Sequence, residues 1–176
     1  MKKIILSAAF AFTALLGCLT ITACSEESVD DLLVLFSNAF RSGDIEGAKK
    51  YVEKACNKGS GFGCYSMGEL LIREEKHQQA VQFFEKGCKL NSGDACTELG
   101  VVHFKGLGIE QDKPKAVELF EKACNMDEGM GCYLIGGLYK LGDGVPLDEK
   151  KAEEYFFRSC KLGLPEGCEI YQQYGH

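Results

Sequence analysis

Basic side chains are in short supply in this chain of 176 residues, which carries 20 Lys and Arg against 26 Asp and Glu. The resulting net charge of −6 argues against nucleic acid or an anionic lipid surface as a partner. Histidine is scarcer still. His77, His103 and His176 stand far apart, without the spacing that gathers ligands around zinc, so neither a metal nor another cofactor is expected. Tryptophan is absent, and the only long apolar run lies at the extreme N-terminus, which leaves the remainder as one domain. The Gly-rich stretch Gly59-Ser-Gly61-Phe-Gly63 matches neither nucleotide-binding fingerprint and reads as a turn. Against these shortages stand ten cysteines, a density typical of an oxidising compartment.

Lys2 and Lys3 precede Ile4 to Ala23, which is apolar apart from Ser, Thr and one Cys, and residues 1–23 read as a secretory signal. Its length is near the roughly 20 residues of a membrane span, so an uncleaved anchor stays open. Ile21-Thr22-Ala23-Cys24 resembles the bacterial lipobox, in which the cysteine becomes the lipidated N-terminus; Leu15-Leu16-Gly17-Cys18 is a poorer match. Cleavage before Cys24 removes Cys18, consumes the Cys24 thiol and leaves eight cysteines, a set that pairs completely. It also takes the net charge to −8, because Lys2 and Lys3 leave with the leader. A lipoprotein or a freely secreted protein outside the cytoplasm is the expectation, touching membrane only through the lipid.

The eight cysteines form four couples, Cys56/Cys64, Cys88/Cys96, Cys124/Cys132 and Cys160/Cys168, each with the same spacing. Aligning on them brings Ala48, Ala80, Ala116 and Ala152 into register, followed by Val52, Phe84, Phe120 and Phe156. This is an internal repeat of solenoid period. Ala80 to Cys88 and Ala116 to Cys124 place apolar groups at i, i+3, i+4 and i+7, the pattern of an amphipathic helix. After a short turn a second helix carries Gly68, Gly100 and Gly136 at one register. Glycine costs roughly 1 kcal/mol against Ala inside a helix, so its recurrence predicts close approach of a neighbouring helix.

Gly106-Leu-Gly108 and Gly142-Asp-Gly144 end two of these helices, with Pro114 and Pro146 as breakers, while Arg73 to Gln79 forms a tighter connection in the shorter repeat. Ahead of the cysteines a helix is predicted over Val29 to Ser42 with Ser28 at its N-cap, then another over Ile45 to Cys56. A last helix is predicted near Glu166 to Tyr174. Residues 24–43 thus read as a linker with a capping helix, and 44–176 as the repeat domain. Two disulfide schemes suit such an array: the near couples, or Cys64/Cys88, Cys96/Cys124 and Cys132/Cys160 across each helix pair. Constant spacing favours the near couples as the bridged units.

Leu99-Gly100 with Gly106-Leu-Gly108-Ile109, and Ile135-Gly136 running through Gly142-Asp-Gly144-Val145-Pro-Leu-Asp148 into Lys151-Ala152, look like Sel1-like repeats, relatives of the tetratricopeptide repeat. The added cysteines resemble the Helicobacter cysteine-rich protein family. The resemblance implies an all-α fold, a right-handed α/α superhelical solenoid whose hairpins are cross-linked by disulfides. It also implies a penicillin-binding protein with weak β-lactamase activity, acting on a β-lactam or peptidoglycan-derived ligand.

The residues themselves do not supply that chemistry. The positions three after Ser60, Ser66, Ser92 and Ser159 are Gly63, Glu69, Ala95 and Leu162, so no Ser-x-x-Lys exists, and Ser-Asp-Asn and Lys-Thr-Gly are missing. His103 shares the register of Leu71 and Tyr139 and is expected to pack. In the tetratricopeptide geometry the first helix of each pair builds the inner wall. Here its stripe holds Tyr65, Glu69 and Ile72, then Thr97, Val101 and Phe104, then Tyr133, Gly137 and Lys140, with Arg73, Glu98 and Lys105 alongside. These positions differ between repeats where core positions recur. They form a candidate groove for a protein or peptide, the alternative to an enzyme whose catalytic residues no motif identifies.

Overall fold

The computed structural model describes residues 27–175, so the leader, Cys24 and His176 lie outside the described residues. Within them the chain runs α1 (Val29–Ser42), α2 (Ile45–Asn57), α3 (Gly61–Arg73), α4 (His77–Lys89), α5 (Gly93–Lys105), α6 (Lys113–Cys124), α7 (Gly129–Leu141), α8 (Glu149–Lys161) and α9 (Pro165–Gln172). Each helix packs on the next. The odd-numbered helices α3, α5, α7 and α9 also touch in succession and form an inner row, with the even-numbered helices outside. The result is a right-handed α/α superhelical solenoid of four hairpins and a final single helix.

Helix starts follow capping chemistry. Ser28 and Asp31 form a reciprocal capping box on α1. Ser60 Oγ accepts from Gly63 N at 3.0 Å, Ser92 Oγ from Ala95 N at 3.2 Å, and Glu128 Oε2 from Gly131 N at 2.6 Å. Three expectations need adjustment. His77 already starts α4, so the tight connection is Glu74 to Lys76. There Glu74 pairs with Lys49 and, at 2.9 Å, with Lys76, and both hold its carboxyl below the usual range. Pro114 lies inside the first turn of α6, where its missing N–H costs nothing, rather than ahead of the helix. The last helix begins at Pro165 and ends at Gln172, again with proline in the first turn.

The recurring glycines are contacts between the two helices of a hairpin. A Cβ on Gly68 would stand 2.3 Å from the Phe84 ring, one on Gly100 2.6 Å from Phe120, and one on Gly136 3.1 Å from Phe156. Each phenylalanine of an outer helix therefore lies across the bare backbone of its inner partner and is buried there, Phe84 completely. Burying such a ring contributes about 1.5–3 kcal/mol, enough to offset the glycine's helical cost.

Between hairpins the joint is covalent. Cys56–Cys64, Cys88–Cys96, Cys124–Cys132 and Cys160–Cys168 are bonded, with Cα atoms 4.5, 4.6, 4.5 and 4.4 Å apart. Each cysteine follows a small residue: Ala55 and Gly63, Gly87 and Ala95, Ala123 and Gly131, Ser159 and Gly167. These small residues face one another, for a Cβ on Gly63 would lie 2.8 Å from Cys56 N and one on Gly131 2.6 Å from Ala123 Cβ. The helices thus approach closely enough for the sulfurs to meet.

Candidate functional site

The inner row of α3, α5, α7 and α9 begins beside α1, where Phe36 meets Phe62 of α3. At its N-terminal end a hollow of about 170 Å³ opens between Phe36 and Phe40 of α1 and Tyr65, Glu69, Leu70 and Arg73 of α3, with Ser66 on its lining. The aromatic rings run in sequence: Phe36 to Phe40 5.8 Å, Phe36 to Phe62 6.5 Å, Phe62 to Tyr65 6.1 Å. The Arg73 guanidinium lies over the Phe40 ring at 5.8 Å. Phe62 and Phe40 remain 48% and 40% exposed, apolar area that packing would otherwise cover.

Next to this shelf the wall is acidic. Tyr65 is pushed up to about 12, first by burial and then by the carboxylates of Glu69 on α3, Asp94 and Glu98 on α5 and Glu128 at the N-cap of α7. Glu98 is raised above the usual carboxylate range by burial first, then by Glu69, with Lys105 opposing and Asp94 and Glu128 adding to the rise. The sign is unfavourable for folding at neutral pH. The folded group binds its proton more tightly than the unfolded one, so stability falls as pH rises from the ordinary carboxylate value through the raised one.

Four segments of the chain, residues 39–60, 61–92, 93–128 and 129–164, match the Sel1 repeat. The chain belongs to the Sel1 repeat family. No curated protein matches it. Among solved structures it is similar to a Sel1 repeat protein from Oxalobacter formigenes at 18% identity and a TM-score of 0.76, over 85% of this chain and 62% of that one. It is also similar to Helicobacter pylori cysteine rich protein B, at 33% identity and a TM-score of 0.61, over 72% of this chain and 94% of that one. A third is c5321, a protective antigen of uropathogenic Escherichia coli strains, at 24% identity and a TM-score of 0.74, over 83% of this chain and 33% of that one. The chain therefore spans less than two thirds of the length of the Oxalobacter and Escherichia proteins.

Within this Sel1 solenoid the candidate groove residues divide. Tyr65 and Glu69 share the hollow with Arg73 at its edge, and Glu69 and Lys105 both act on Glu98 of the next repeat. Thr97 is buried and its hydroxyl donates to Glu128 Oε2 at 3.3 Å. Tyr133 packs its ring edge on Phe156 at 5.7 Å. Ile72, Val101 and Phe104 turn into the hydrophobic clusters, and Lys113 Nζ covers the Phe104 ring at 5.4 Å. Lys140 Nζ lies 5.8 Å from the ring centre of Tyr174, near the C-terminal end.

The physical reason is the helical angle. At about 100° per residue, position 72 falls to the side of Tyr65 that carries Gly68, whereas 69 and 73 fall to the other side. Phe36, Phe40, Phe62, Asp94 and Glu128 were not among the candidates. The register gave a signal for two of them, because Phe62 and Asp94 stand three residues before Tyr65 and Thr97.

The serines weighed as nucleophiles are engaged in structure: Ser60 and Ser92 cap helices, and fully buried Ser159 donates to Gly129 O at 2.9 Å. Ser66 borders the hollow beside Glu69 and Arg73, with no lysine in the lining. His103 is half-buried. It borders a separate surface hollow of about 510 Å³ with Val81, Glu85, Ile109 and Asp112, its Nδ1 buried. Among the described residues no group of three His, Cys, Asp or Glu is placed to hold a metal ion.

Proposed function

We propose that this Sel1 solenoid is an interaction module that binds a protein or peptide along its inner wall. The observation that carries this reading is the contrast of registers. Positions facing the hairpin core recur as Gly against Phe, whereas the exposed position three before Tyr65 changes from Phe62 to Asp94 and then Met130 in successive repeats. A surface kept only for folding has no need of an exposed aromatic shelf beside clustered carboxylates. A solenoid of this kind is a protein-interaction fold, which supports the reading. A photo-cross-linking residue placed at Glu69 or Gly137 on the inner wall is expected to give discrete adducts in envelope preparations. The same residue at Glu118 or Glu154 on the outer helices is expected to give none, and adducts from the outer positions alone would refute the proposal.

The four disulfides fit a protein outside the cytoplasm. We further propose residues 1–23 as its signal, Cys24 as the lipidated residue and 44–176 as its repeat domain. Retention of Cys24 as the N-terminal residue, checked by mass spectrometry with and without globomycin, tests the anchor. Penicillin binding with slow β-lactam hydrolysis is the second reading, and only the family resemblance favours it. Ring opening followed on the oxidised chain, with intact mass recorded for a covalent adduct, is expected to show neither turnover nor acylation. Multiple turnovers lost on reduction of the disulfides would reverse that order.

A further inference from the structure

Resting on the inner-wall reading, we infer that the partner segment is cationic: an extended peptide that seats one apolar side chain between Phe36, Phe40 and Tyr65 and lays a Lys or Arg against Glu69 and Glu98. The hollow of about 170 Å³ suits a single aliphatic or aromatic side chain, with Leu70 on its lining and the Arg73 guanidinium over Phe40 at one edge. It is too small for a packed helix face, which needs several anchors in a row. Glu69 belongs to both halves of the site, because it borders the hollow and acts on Glu98 of the next repeat. One residue of the partner thus fills the hollow while its neighbour meets the carboxylates.

Charge complementarity selects the occupant. The carboxylates come from separate elements, Glu69 from α3, Asp94 and Glu98 from α5, and Glu128 from the N-cap of α7, so the superhelix itself brings the like charges together. Lys105 is the cation that acts on Glu98 against them. A partner ammonium or guanidinium relieves this repulsion, and a partner carboxylate adds to it. Arg73 lies over an aromatic face and shares its hollow with Glu69, so the apolar pocket does not become an anion site.

Two labelled peptides test the assignment on the oxidised chain: acetyl-Leu-Lys-Phe-Lys-Leu-amide and its counterpart with Glu in place of Lys, followed by fluorescence anisotropy at low and high salt. The basic peptide is expected to bind about tenfold more tightly than the acidic one, with the difference shrinking as salt rises. Glu69→Gln and Glu98→Gln are each expected to weaken the basic peptide about threefold and leave the fold intact, while Glu118→Gln on α6 changes nothing. Binding should also weaken as pH falls from neutral through the raised range of Glu98, facing Glu69, Asp94, Glu128, Tyr65 and Lys105, because protonation removes the charge the peptide needs. Equal binding of both peptides, lost together in Phe40→Ala, overturns the cationic assignment and leaves the inner-wall reading standing. Tighter binding of the acidic peptide, or none by either, also overturns it, and the cross-linking comparison then decides the inner-wall reading separately.

Discussion

Between hairpins, the turn from α4 to α5 runs Leu90-Asn91-Ser92, and the cysteines around it and around its three counterparts keep one sequence separation of 8. Within hairpins the turn varies from Gly43–Asp44 through Glu74–Lys76 to Gly106–Asp112. The two kinds of joint face different demands. Inside a hairpin the Phe84 ring on Gly68 fixes the crossing in mid-helix, and the turn only has to close the gap, for which extra length costs little. Between hairpins, among the described residues, the helical glycines Gly63, Gly87, Gly131 and Gly167 meet small residues and backbone instead of a ring. The disulfide, the facing small residues and a left-handed turn residue set the angle that each hairpin passes to the next, and with it the curvature that brings Glu69, Glu98 and Glu128 together.

Removing a disulfide gives the largest effect. Closing a loop of about nine residues is worth roughly 2.5 kcal/mol in the chain-entropy picture, the same for every couple. Burial separates them, since Cys88 and Cys96 are buried and Cys160 and Cys168 are partly exposed. Replacing Cys88 and Cys96 by Ser is expected to cost about 3–5 kcal/mol in urea unfolding, and replacing Cys160 and Cys168 about 2 kcal/mol. Equal losses would mean that loop closure alone accounts for the joint.

Overpacking the crossings inside the hairpins comes next. Gly68→Ala, Gly100→Ala and Gly136→Ala should destabilise in that order, by about 1–3 kcal/mol, following the 2.3, 2.6 and 3.1 Å approach of Phe84, Phe120 and Phe156. Phe84→Leu combined with Gly68→Ala should recover part of the loss, a coupling that a double-mutant cycle reads directly. Should the three cost the same, the Gly–Phe contact is not what sets the crossing.

Much of this architecture is legible in the sequence because a repeat prints each contact several times. The register of Gly68, Gly100 and Gly136 against Phe84, Phe120 and Phe156 marks a close approach before any helix is placed. The inner wall is legible only in part, because its positions do not repeat and its neighbours come from different repeats. Phe104 and Lys140 stand at plausible spacing from Thr97 and Tyr133, yet the helical angle turns Phe104 into the core and Lys140 onto Tyr174. Glu128 looks like a helix cap and is one, but the superhelix also sets it near Tyr65, a relation that no single-helix pattern encodes.

The smallest predicted effect concerns the turn residues themselves. Gly59, Asn91, Asp127 and Gly163 occupy one register between hairpins, and all four have positive φ, between 60° and 93°. Asn and Asp are the side chains that tolerate this conformation best, so these turns hold residues suited to it. Within the turn from α3 to α4 Glu75 has φ 60°, whereas the turns that follow α1, α5 and α7 carry positive φ on the glycines Gly43, Gly106 and Gly142. Left-handed backbone costs an ordinary residue about 1–2 kcal/mol, and glycine returns about 0.4–1 kcal/mol of that through its freer unfolded chain. Glu75→Gly is therefore expected to stabilise by about 0.5–1 kcal/mol, and Asn91→Gly to change stability by no more than a few tenths. Equal gains at both sites, measured by urea unfolding at one pH, would show that the between-hairpin turns are no better adapted than the turn at Glu75. The distinction between the two joints would then rest on the disulfides and the facing small residues alone.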